Sequence, residues 1–124
     1  MTDTEHAASP GLSAVTHTRD GVRVIRLEGE IDHHTGSIVN QALRATAGCG
    51  SHVVFDMGGV TFMDSSGINL LLAAHHDLAA GGGWLRVAGA TDAVLHTVQL
   101  VGIDRVIEFH DTLDQALTTP APRS

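Results

Sequence analysis

A chain of 124 residues, 43% of them hydrophobic, is long enough for one domain with its own core, which argues against wholesale disorder and against several domains. Its 7 cations against 14 acidic residues leave a net charge of −7, and every cation is arginine, so nucleic acid and anionic membrane surfaces are poor partners. A single cysteine, Cys49, excludes an internal disulfide and suits a reducing compartment.

The start, Met1–His6, has no cationic or apolar segment of a secretion signal. Residues 1–10 read as a flexible tail. Leu12–Thr18 and Val22–Leu27 are strand candidates, joined by the hairpin signal Asp20-Gly21. After the Gly29–Asp32 loop, Ile38, Val39, Ala42 and Leu43 repeat at helical spacing, and Gly48-Cys49-Gly50 stops that helix. His52–Asp56 is a short run suited to a buried strand, with Met57–Phe62 turning through Gly58-Gly59. Asp64-Ser65-Ser66 then offers helix caps, and Ile68, Leu71, Leu72, Leu78 and Ala79 form an apolar stripe. That stripe holds the longest apolar stretch, near Ile68–Ala74, which Asn69 interrupts and which is too short to span a bilayer. Gly81–Gly83 end this helix and Trp84–Ala88 is a strand. A third helix opens at Thr91-Asp92 with Val94, Leu95, Val98 and Val101 facing inward, and Gly102 closes it. Arg105–Phe109 is a strand, Asp111–Leu117 a last helix, and residues 119–124 a second flexible tail. The order ββαβαβαβα predicts an α/β domain over 11–118, a small mixed sheet with helices packed on it.

The segment Asp64-Ser65-Ser66-Gly67 carries the main chemical signal. On the plain reading it is a helix N-cap, with Asp and Ser accepting hydrogen bonds from orphan N–H groups. Two adjacent serines cannot both cap one helix well, which leaves a hydroxyl spare as a phosphoacceptor. The helix dipole favours the added charge there, while Asp64 opposes it.

Three blocks resemble one family. Leu27–Thr35 (LEGEIDHHT), Phe62–Gly67 (FMDSSG) and the stretch from Val87 to Leu117 are similar, in order and without large gaps, to the bacterial anti-sigma factor antagonists of the STAS domain family. The resemblance implies a STAS-like fold and a protein that binds an anti-sigma factor serine kinase, thereby releasing a sigma factor. That kinase would phosphorylate Ser65, which ends binding, and a serine phosphatase would reset it. Asp32, His33 and Thr35 of the first block, with Asp64, Ser66, Gly67 and Ile68 of the second, are the implied partner-binding positions. The chain would then be a cytoplasmic substrate and binding module, with no enzymatic activity, cofactor or metal of its own. Asn69 and the Ala93–Val98 segment depart from the family pattern, and both bear on which anti-sigma factor is recognised.

Two alternatives compete. One is a STAS scaffold or accessory subunit of a larger complex, without phosphorylation. The other is a small histidine-dependent enzyme or metal-binding protein, suggested by nine histidines. The pairs His33-His34 and His75-His76 are adjacent rather than four apart, so neither places two imidazoles on one helix face, and His75 or His76 reads as lying on the helix's solvent side. No Gly-x-Ser-x-Gly elbow surrounds a serine, and Gly81–Gly83 lacks the flanking pattern of a phosphate-binding loop. Trp84 reads as a packing residue. Cys49, with no cationic neighbour in sequence, reads as unreactive.

Overall fold

A computed structural model describes residues 5–9, 11–46 and 52–118. The elements are β1 (Glu5–Ser9), β2 (Leu12–Arg19), β3 (Val22–Ile31), α1 (Gly36–Thr46), β4 (His52–Met63), α2 (Ser65–Ala80), β5 (Trp84–Ala88), α3 (Asp92–Val101), a 3-10 turn (Ile103–Arg105), β6 (Glu108–His110) and α4 (Leu113–Thr118). All six strands form one sheet in chain order. The pairs β1–β2 and β2–β3 are antiparallel, and β3–β4, β4–β5 and β5–β6 are parallel. The sheet is therefore mixed, as the sequence predicts. At its β2–β3 hairpin Asp20 (φ 53°) and Gly21 (φ 80°) both adopt the positive φ that a two-residue turn of the favoured hand requires.

Side chains alternate between the two sheet faces. Ile25, Leu27, Val53, Phe55, Met57, Leu85 and Val87 enter the main core, where they meet Ile38, Val39 and Ala42 of α1, Ile68, Leu71, Ala74 and Leu78 of α2, and Val94 and Val98 of α3. Val22, Val54 and Ala88 point the other way and receive Ala116 of α4, with Leu113, Leu117 and Trp84 around them. β4 is thus covered on both faces, which is why Val53-Val54-Phe55 is an unbroken apolar run. Each such side chain contributes roughly 1.5–3 kcal/mol by leaving water.

Several boundaries differ from those the sequence predicts. Glu5–Ser9, expected within a loose tail, is an edge strand: backbone groups on the free edge of β2 supply its ladder, although its sequence, EHAAS, has no strand periodicity. β4 does not end at Asp56 with a turn through Gly58-Gly59 but continues to Met63. The glycines mark a bulge instead, because the register passes from Arg26↔Asp56 to Glu28↔Gly59, and a Cβ on Gly59 would lie 2.6 Å from Glu28 Cγ. Of the expected strand over Arg105–Phe109 only Glu108 and Phe109 are strand; Arg105 ends the 3-10 turn, and Val106 and Ile107 continue as turn and bend. Ile103 and Ile107 are both buried four residues apart, a helical rather than alternating spacing, and Ile107 N donates to Ile103 O at 3.0 Å. α4 begins at Leu113, since the Thr112 hydroxyl accepts from Gln115 N (3.2 Å) in the manner of a cap. Val101, expected inward, is exposed. Residues 1–4 and 119–124 of the expected tails, and the Gly48-Cys49-Gly50 stop, lie outside the described residues.

Candidate functional site

Because β3 and β4 run parallel and in register at their ends, Ile31 lies beside Met63 and the segments that follow them meet. Asp64 N donates to Ile31 O at 3.2 Å, tying the second motif to the first. The carboxyl ends of parallel strands, where helices depart, are where α/β sheets usually build sites.

The first segment is held by reciprocal hydrogen bonds. Asp32 Oδ1 accepts from His34 N (2.9 Å) and Thr35 N (3.0 Å), while Thr35 Oγ1 accepts from Asp32 N (2.9 Å) and donates to Glu30 O (2.8 Å). This is a capping arrangement, with Asp32 O receiving Gly36 N at 3.0 Å as α1 begins. The Thr35 backbone N–H outweighs the opposing effect of burial and, with a lesser contribution from the His34 N–H, holds the Asp32 carboxyl below its ordinary pKa of 3.8.

The second segment starts α2. Asp64 has extended backbone (φ −101°, ψ −167°), and its Oδ1 accepts from Ser66 N at 2.8 Å. Its carbonyl accepts from Gly67 N (3.0 Å) and Ile68 N (3.3 Å). The aspartate is therefore the cap, and neither serine is needed for it. Ser65, the first helical residue, is exposed, and its hydroxyl has no hydrogen bond among the described residues. Gly67 is buried because a Cβ there would collide with Met63 Cγ and lie 3.1 Å from Ile31 Cγ2. On the far side of the junction, Gly36 of α1 sits against Leu70 of α2.

All eight sequence-predicted positions gather at these two strand ends, but in different roles. Ser65 and His33 are exposed, and Asp32, Asp64 and Ser66 are half-buried. Thr35, Gly67 and Ile68 are buried, so they shape the junction from beneath rather than present a face. Asn69 is exposed, as its place on the helix predicts. Phe62, just before the second motif, is exposed and was hidden in sequence by the glycine pair that reads as a turn.

Other groups stand apart from this junction. His76 faces solvent, as expected of one of the pair, and His75 is half-buried with no hydrogen-bond partner for its Nδ1 among the described residues. The His33–His34 and His75–His76 rings lie 4.4 and 5.6 Å apart, and among the described residues no three His, Cys, Asp or Glu side chains gather as a metal would require. Beneath α4, the buried Arg86 donates to Ala116 O (2.9 Å), pairs with Glu108 (3.3 Å) and lies 4.1 Å over the Trp84 ring, which stacks on His52. Nothing in sequence marked Arg86, since an arginine in a short strand ordinarily faces water. Among the described residues, no helix is long and apolar enough to cross a membrane.

Comparison with known proteins gives this geometry a family. The family described as the STAS domain matches residues 13–116. The chain is 30% identical over 102 residues to an anti-sigma F factor antagonist of Paenibacillus polymyxa, covering 79% of this chain and 86% of that one. Its structure is similar to that of an anti-sigma factor antagonist from Mycobacterium paratuberculosis (TM-score 0.80, 31% identity, 90% and 96% of the two chains). It also shares its fold with SpoIIAA, the anti-sigma factor antagonist known in an unphosphorylated form (TM-score 0.67, 23% identity, 92% of each chain) and, from Bacillus, in a phosphorylated form (TM-score 0.57, 22% identity, 92% and 96%). With the matched region spanning nearly the whole described chain, this protein belongs to the STAS domain family.

Proposed function

We propose that the protein is a cytoplasmic anti-sigma factor antagonist: it binds an anti-sigma factor serine kinase, frees a sigma factor, and is released when the kinase phosphorylates Ser65. A serine phosphatase resets it. The observation that carries the reading is the exposed Ser65 at the first position of α2, its hydroxyl uncommitted because Asp64 does the capping. The relatives named above as anti-sigma factor antagonists support it, as does the existence of SpoIIAA in both phosphorylation states.

A phosphoryl group adds about −1.5 to −2 charge at neutral pH. At the start of a 16-residue helix the macrodipole tolerates it, so the fold survives. The partner surface does not tolerate it: a dianion placed beside Asp64 must be desolvated and faces a carboxylate already there. In this scheme the chain is substrate and binding module, and the chemistry belongs to the kinase.

The test is intact-mass spectrometry with site mapping after incubation with ATP and purified anti-sigma factor kinases of the same organism. One added phosphate on Ser65, with loss of binding, is expected. Ser65→Ala should bind and not be released by ATP, and Ser65→Asp should bind weakly. Modification elsewhere, or release of Ser65→Ala by ATP, removes Ser65 from its role. Binding without any modification favours the scaffold reading.

A further inference from the structure

We propose that Phe62 is the apolar anchor by which the anti-sigma factor kinase grips this protein, and that the carboxylates around it select a basic partner face; this rests on the reading of Ser65 given above. Phe62 is 47% exposed, whereas Phe55 is fully buried and Phe109 and Trp84 are half-buried. Single exposed apolar residues are common and mean little alone. The place of this one is what matters.

Phe62 is on a strand, paired with Glu30 of β3, one residue before the buried Met63 and three before Ser65. In a pleated strand it therefore shares a face with Glu30, opposite the main core. α4 packs on Val22, Val54 and Ala88 of that face and leaves Phe62 uncovered. The ring is held on a rigid element with two side-chain torsions to fix, the type of group that dominates interface energetics. Its register partner Glu30 and, two residues earlier on β3, Glu28 are both exposed, and Glu28 is paired with Arg26 at 3.3 Å. An apolar centre with an acidic rim calls for a partner with an apolar pocket edged by Arg or Lys.

The experiment measures binding of unphosphorylated protein to a purified anti-sigma factor kinase of the same organism, alongside thermal melting. Phe62→Ala should weaken binding about tenfold or more with melting unchanged, as for a central aromatic anchor. Phe62→Leu should fall between wild type and Phe62→Ala. Leu100→Ala removes a still more exposed apolar side chain on α3 and should bind as wild type. The pair Glu28→Gln with Glu30→Gln should slow association several-fold and reduce its dependence on salt. Wild-type affinity for Phe62→Ala, or an equal loss for Leu100→Ala, overturns the anchor. If wild-type protein neither binds nor is phosphorylated, the underlying reading fails with it, and the two failures are told apart by the wild-type control.

Discussion

Asp32 and Asp64 perform the same task at two strand ends, each accepting backbone N–H groups of the turn that follows. For Asp32 this has a pH consequence. Its folded pKa is lowered, so the stabilisation is fully present above the ordinary 3.8 and is lost as pH falls through the lower folded value. Carboxyl-detected NMR should place its midpoint below 3.8, and a midpoint at or above that value would contradict the capping geometry. The buried Thr35 hydroxyl supports the same loop from below, joining Asp32 N to Glu30 O. Thr35→Val keeps the shape and strands both groups, a cost of about 1–3 kcal/mol in denaturant unfolding. An unchanged midpoint would mean that the backbone there finds other partners.

At the level of elements, the junction depends on how closely α2 and β2 approach the end of β3. Gly67→Ala gains about 1 kcal/mol of helix propensity but drives a methyl into Met63 and Ile31, and overpacking of this kind costs about 1–3 kcal/mol or more. A net loss is expected. Gly29 is constrained more severely: its φ is +120°, and a Cβ would collide with the backbone carbonyl of Gly11, which also accepts from Glu30 N at 2.8 Å. Backbone cannot swing aside as a methionine can, so Gly29→Ala should destabilise more than Gly67→Ala. Equilibrium unfolding of the two variants checks the ranking, and the reverse order would show that the β2–β3 crossing is looser than its geometry.

For the molecule as a whole, the two faces of the sheet are secured differently. Three helices close the main core through extensive apolar contact, whereas α4 rests on a small cluster and on Arg86. Arg86→Ala removes a charge-assisted bond to Ala116 O and the stacking on Trp84, and it leaves a void. It should cost about 2 kcal/mol or more. Amide exchange should rise first in 113–118, ahead of α2. Uniform loosening across the chain would instead mean that α4 and the main core unfold as one unit. Ser65→Ala, by contrast, touches an exposed group and should leave stability within about 0.5 kcal/mol of wild type.

The sequence alone determined what depends on neighbours a few residues apart. The apolar stripe of α1, the buried run Val53–Phe55, the Asp20-Gly21 hairpin and the start of α2 at Asp64-Ser65 all follow from spacings within one element and are where the pattern places them, while the α2 stripe holds at Ile68, Leu71 and Leu78 but takes in Ala74 and leaves Ala79 exposed. The two motif blocks were legible too, as segments separated by residues 36–61. What only tertiary structure decided was pairing between distant segments. Parallel registry of β3 with β4 brings Asp32 and Asp64 to one junction, turns the Gly58-Gly59 signal into a bulge, and carries the strand far enough to expose Phe62. The free edge of β2 makes a strand of Glu5–Ser9, and the roof formed by α4 buries Arg86. Strand ladders are backbone bonds whose partner is chosen by the rest of the fold, so the local pattern of side chains does not name it.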